Sequence, residues 1–169
     1  QFVVYRNYNA PEDLLLQCSP WESKPENLRN FMDKIRSEYG LGNGAIEVGL
    51  AHVNREIEKG EVSQVILIGD APVNTREDVQ SKRKSKEAYW EKTLLFSKPT
   101  YYEDELNRLK KHDVPVHAFF IGTFAKQGMQ EVQMEMILWK HTETNSRSHL
   151  LDTFIFWIIS FVHLCEHKM

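Results

Sequence analysis

The sequence predicts an α/β domain built on a parallel sheet, on three observations. Residues 62–72, Val-Ser-Gln-Val-Ile-Leu-Ile-Gly-Asp-Ala-Pro, form a short, β-branched apolar run that ends in an acid, a small residue and a proline. That is the pattern of a strand buried on both faces of a parallel sheet. Residues 114–122, Val-Pro-Val-His-Ala-Phe-Phe-Ile-Gly, repeat the pattern further along. An amphipathic helical pattern precedes each run, and a helix feeding a buried strand is the alternation expected of this class.

The elements follow in order. Residues 2–8 read as a strand and residues 14–18 as a short second one, joined through the Asn-Ala-Pro-Glu-Asp turn at 9–13 as a hairpin. Pro25 opens a helix with Glu26 at its positive end, and Leu28, Phe31, Met32 and Ile35 recur at helical spacing until Gly40 stops it. Gly40, Gly42 and Gly44 then make a turn, where permissive dihedrals are what a tight connection needs. From Ala45, the residues Ile46, Gly49, Leu50 and Val53 mark a second helix, ended by Lys59 and Gly60 before the strand at 62–69. Residues 71–100 are long for a bare loop, and charged residues 81–90 suit an exposed helix within them. Residues 102–111 form a helix with Leu106 and Leu109 facing inward, and residues 127–140 another, while residues 150–152 form a short strand or turn.

Composition narrows the chemistry. At 169 residues, 41% hydrophobic and 27% charged, the chain supports one domain with a real core. A net charge of −3 gives no general attraction for nucleic acid or a membrane, and the basic cluster of Lys82, Arg83, Lys84 and Lys86 reads as a solvated loop. Cys18 and Cys165 form no Cys-x-x-Cys, which fits reduced thiols in a cytoplasmic setting. The amino terminus carries no signal-peptide pattern and no initiator Met, as expected of a fragment. The Gly40-x-Gly42-x-Gly44 spacing is wrong for a dinucleotide fingerprint and follows a helix rather than a strand. No Walker A lysine, nucleophile elbow or His-Glu-x-x-His is present. His163 and His167 share a helical spacing, but two histidines do not close a zinc site, and His117 alternates with apolar neighbours as a core histidine does.

Three segments, residues 42–50 (Gly-Asn-Gly-Ala-Ile-Glu-Val-Gly-Leu), 65–72 (Val-Ile-Leu-Ile-Gly-Asp-Ala-Pro) and 112–120 (His-Asp-Val-Pro-Val-His-Ala-Phe-Phe), taken in this order, resemble the second half of a von Willebrand factor A domain. The similarity runs from about Phe2 to Asp152 and is most specific at Ile68-Gly-Asp-Ala-Pro72, which resembles the family's third metal-site motif. It implies a Rossmann-like, mostly parallel open sheet flanked by helices, with an antiparallel edge strand and a divalent-cation adhesion site at the carboxyl edge. The family's first, central strand and its Asp-x-Ser-x-Ser loop have no counterpart here, so the resemblance implies an incomplete sheet. Where the family often carries Thr, this chain has Asn43, whose oxygen is a substitute ligand.

The expected site is therefore a degenerate one. Asp70 with Asn43 would hold Mg²⁺ or Mn²⁺ weakly, because Mg²⁺ takes about six oxygens and most would be water. Asp70 otherwise caps the turn after its strand through its own backbone, and Asn74 has the same two readings. Tyr89, Trp90, Tyr101 and Tyr102 lie amid charges in and beside the insertion, as a partner-binding surface or as residues packing the insertion onto the domain. The expectation is a non-catalytic protein-binding domain over residues 1–152, with no nucleic-acid or membrane partner. Alternatives are a metal-dependent hydrolase using Asp70 and a non-functional fragment. Residues 153–169 stand apart as an apolar tail, too short to span a membrane, that is either a terminal core element or sequence foreign to the domain. A sheet lacking its central strand would expose unpaired backbone, from which self-association is expected.

Overall fold

The computed structural model describes residues 1–40, 42–60 and 62–121, and the backbone of the strand at Phe156–Phe161. The predicted helix at 127–140, the element at 150–152 and both His163 and His167 lie outside the described residues. Among the described residues the elements follow in order: β1 (Phe2–Tyr5), α1 (Glu12–Leu15), β2 (Leu16–Cys18), α2 (Pro25–Met32), α3 (Ile46–Ile57), β3 (Gln64–Gly69), α4 (Arg76–Lys84), α5 (Glu87–Trp90), α6 (Tyr102–Lys111), β4 (Val116–Phe120) and β5 (Phe156–Phe161).

The fold is mixed α/β, with one five-stranded sheet in the order β2-β1-β5-β3-β4. The expected mostly parallel sheet is not what forms: β3 and β4 are the one parallel pair among the described strands, and the other three pairs are antiparallel. The cause is β5. It comes from the apolar tail and sits between β1 and β3, with Ile159 opposite Phe2 on one side and Ile66 on the other. The expected gap at the centre of the sheet is thus filled, and the exposed backbone from which self-association was expected is paired.

Because β1 and β3 each run antiparallel to β5, they point the same way, as does β4. Their carboxyl ends therefore share one edge. The core lies between one sheet face and the helices α3 and α6: Val3, Tyr5, Val65, Leu67, Val116 and Ala118 meet Ile46, Leu50, Val53 and Leu109, all at most 8% exposed. The prediction that β3 is buried on both faces holds for one. Val65 and Leu67 are fully buried, whereas Ile66 and Ile68 alternate as half-buried residues, and on the same face of β4 His117 is half-buried and Phe119 is exposed.

Local chemistry explains where elements depart from expectation. The strand at 2–8 stops at Tyr5 because Arg6 turns inward, its guanidinium donating to Leu14 O (2.6 Å), Gln17 Oε1 (2.7 Å) and Arg36 O (2.9 Å). The turn at 9–13 tightens into α1, with Leu15 N–H donating to Pro11 O, so the second strand starts at Leu16. The insertion is partly helical as expected, but its main helix starts earlier, at Arg76. Thr75 and Asp78 form a reciprocal capping box there, which satisfies two otherwise orphan amides.

Candidate functional site at the carboxyl edge

Three loops meet where β1, β3 and β4 end. Ala45 N–H donates to Arg6 O (3.0 Å), Gly44 N–H to Pro72 O (2.8 Å) and Asn74 N–H to Gly44 O (3.3 Å). These bonds tie the end of β1, the connection into α3 and the loop after β3 into one unit, with an isolated parallel bridge between Gly44 and Val73. Gly42, at φ +78°, supplies the left-handed residue that lets the connection turn.

Side chains complete the linkage beneath the backbone. Asn7 Nδ2 donates to Asn43 O, and Asn7 Oδ1 accepts from Tyr8 N–H at 2.9 Å. Asn74 Nδ2 donates to Glu47 Oε1 at 3.0 Å and reaches Asn7 Oδ1 at 3.5 Å, while Asn74 Oδ1 accepts from the Lys82 ammonium. Glu47 and Asn74 are at most 1% exposed. Burial pushes the Glu47 carboxyl up to about 7, against the hydrogen bond from Asn74 and the charge of Lys82, which favour ionisation. The Tyr8 hydroxyl lies beside this carboxyl without reaching hydrogen-bond geometry, and burial raises it well above the usual phenol range. Burial lowers the Lys82 ammonium, opposed by Asp78 and Glu47. The result is a buried carboxyl joined to the Lys82 ammonium through one amide. Its chemical effect is to hold α3, α4 and the loop after β3 in one relation.

Asp70 ends β3 at this edge and is half-buried. Desolvation raises its carboxyl, opposed by its own backbone N–H. Asn43 turns its amide nitrogen toward Val73 O (3.2 Å) and Asp78 Oδ2 (3.1 Å), leaving Oδ1 as the atom able to face a cation. Because Mg²⁺ takes about six oxygens, Asp70 and Asn43 together would leave most positions to water. Among the described residues, no group of three or more His, Cys, Asp or Glu converges on a point.

The remaining predicted contacts divide by burial. Asn74, Trp90 and Tyr102 are buried, at 1%, 0% and 7% exposure, so they pack the structure instead of facing a partner. Trp90 is the anchor of the insertion, edge-on to Tyr8 at 5.4 Å and to Tyr89 at 5.0 Å, with the Arg83 guanidinium 5.5 Å from its ring centre. Tyr89 is 40% exposed, and half-buried Tyr101 carries the Arg76 guanidinium at 4.3 Å over its ring. Sequence reasoning missed Glu47, Lys82, Asn7 and Tyr8. An acid flanked by Ile46 and Val48 in a first helical turn, and the Thr75-x-x-Asp78 spacing that starts α4 and so aims Lys82, were the available signals. Among the described residues, no helix is long and apolar enough to cross a membrane. No family model, curated protein or solved structure matches the chain.

Proposed function

We propose that the chain is a non-catalytic protein-binding domain of von Willebrand factor A-like, Rossmann-related arrangement. Recognition falls to the carboxyl edge around Asp70 and Asn43, with Mg²⁺ or Mn²⁺ as a weak, mostly water-coordinated ligand. The observation that carries this reading is the cross-linking of three loops at the sheet edge where Asp70 follows β3. Preorganised loops at the carboxyl ends of strands suit ligand contact, because little ordering entropy is lost on binding. The antiparallel edge strand β2 and the helices between β1, β3 and β4 also support it.

Calorimetric titration of Mg²⁺ and Mn²⁺ into the purified chain and into Asp70→Ala tests the reading, with circular dichroism showing both folded. Weak saturable binding that disappears in the variant is expected. A folded protein silent to both cations would remove the metal from the proposal, and binding retained in Asp70→Ala would remove the site.

A further inference from the structure

The connection into α3 carries a reactive step apart from any ligand contact. Asn43–Gly44 is the one Asn-Gly step in the chain. In such a step the glycine nitrogen can reach the asparagine side chain, because no Cβ on the following residue blocks its approach. Once that nitrogen has given up its proton it attacks Asn43 Cγ. A C–N bond closes a succinimide ring, and the side-chain nitrogen leaves with the proton as ammonia. Water then opens the ring: addition at the side-chain carbonyl leaves aspartate, and addition at the main-chain carbonyl leaves isoaspartate, whose main chain runs through Cβ.

The fold engages both reacting groups elsewhere. Ring closure needs the peptide between Asn43 and Gly44 to rotate until its nitrogen faces Cγ, and that peptide is pinned on both sides. Its carbonyl accepts from Asn7 Nδ2, and its N–H donates to Pro72 O at 2.8 Å. The side chain is fixed too: Asn43 Nδ2 donates to Val73 O (3.2 Å) and Asp78 Oδ2 (3.1 Å), with Asn43 half-buried and Gly44 buried. These partners come from the end of β1, the loop after β3 and the first turn of α4, so they release the step when the loops part. Conversion then alters the lock. Aspartate puts a carboxylate where the Nδ2 donor stood, facing the carbonyl of Val73 and the Asp78 carboxylate of the α4 capping box. Both acceptors lose their donor and the like charges repel. Isoaspartate instead lengthens the main chain in the connection itself.

We propose that Asn43–Gly44 is a latent deamidation site gated by the closure of the three loops, and that its conversion keeps the carboxyl edge from closing again through Asn43. The change is one-way, since the ammonia is lost, and each conversion adds one negative charge at the edge. The native chain converts in proportion to the time its edge spends open. None of this depends on a cation at Asp70.

The test is incubation of the full chain at neutral pH, native and in guanidinium chloride, followed by peptide mapping with mass spectrometry. Conversion at Asn43 is expected in both, with isoaspartate among the products as the mark of the ring, and slower by at least about tenfold in the native protein. Asn7→Ala frees the peptide carbonyl; it should raise the native rate about fivefold, the factor of one hydrogen bond, and leave the denatured rate unchanged. Converted protein can be separated from the native incubation by anion exchange. Its amides over Val73–Asp78 should exchange with deuterium at least about tenfold faster than those of the unconverted chain, the factor carried by a lost hydrogen bond to a charged acceptor. Absence of isoaspartate at position 43 in denaturant would remove the site. Equal native and denatured rates, or a native rate unchanged in Asn7→Ala, would remove the gate, and unchanged exchange in the converted protein would remove its effect on the edge.

Discussion

The Asn74 side-chain amide donates to Glu47 Oε1 at 3.0 Å, joining the loop after β3 to the first turn of α3 through two residues that solvent scarcely reaches. Glu47 is held up at about 7 by burial, while in the unfolded chain it titrates at an ordinary value near 4.3. Between those values the folded state keeps a proton that the unfolded state has released, so stability falls as pH rises across the window and levels off above about 7.

Glu47→Gln should remove that decline. Relative to wild type, the variant should gain on the order of 3 kcal/mol between about pH 5 and about pH 8, read from urea melts across the range. A second group then shows through. Burial lowers His52 to about 4, so its contribution is present above about 6.5 and lost as pH falls toward about 4. The variant's stability should therefore rise with pH between these values, where the wild type is flatter because the two slopes oppose.

Trp90→Ala should cost about 3–5 kcal/mol, since it empties the fully buried anchor under Tyr8, Tyr89 and Arg83. Denaturant unfolding measures the loss. A cost below about 1 kcal/mol would mean that the insertion is not packed on the domain as described.

Ile159→Pro probes the centre of the sheet. Ile159 stands opposite Phe2 and Ile66, and proline there removes a backbone donor and fixes φ in a strand paired on both sides. Loss of cooperative unfolding is expected. A cooperative transition at the wild-type midpoint would show that β1 and β3 are stable without β5.

Cys18 should be inert to thiol reagents. Burial pushes its thiol up to about 12, leaving almost no thiolate near neutral pH. In a Cys165→Ser background, which isolates Cys18, labelling by iodoacetamide near pH 8 should be negligible in the folded protein and rapid in denaturant.

The sequence by itself determined the local elements whose cause is local. Apolar period and bounding glycines and prolines placed α3, β3, α6 and β4 close to their observed ranges, and Asp70 at the end of β3. Proline at the first helical turn placed the start of α2, although α2 ends at Met32 and not at Gly40. Only the tertiary structure decided what depends on contacts between distant segments. The apolar tail gave no sign of where it would pair, because a strand's partner is set by which backbone edges remain open once the rest has folded. Between β1 and β3 it turns an expected parallel sheet into one with a single parallel pair among the described strands. The site followed the same division: Asp70 and Asn43 were legible as types at a strand end and a helix entry, whereas Glu47, Asn74 and Lys82, distant in sequence, became one buried network only when the three loops closed on each other. Burial is a property of the assembled fold, so it also decided that Trp90 anchors the insertion from within while Leu94 stands out in water.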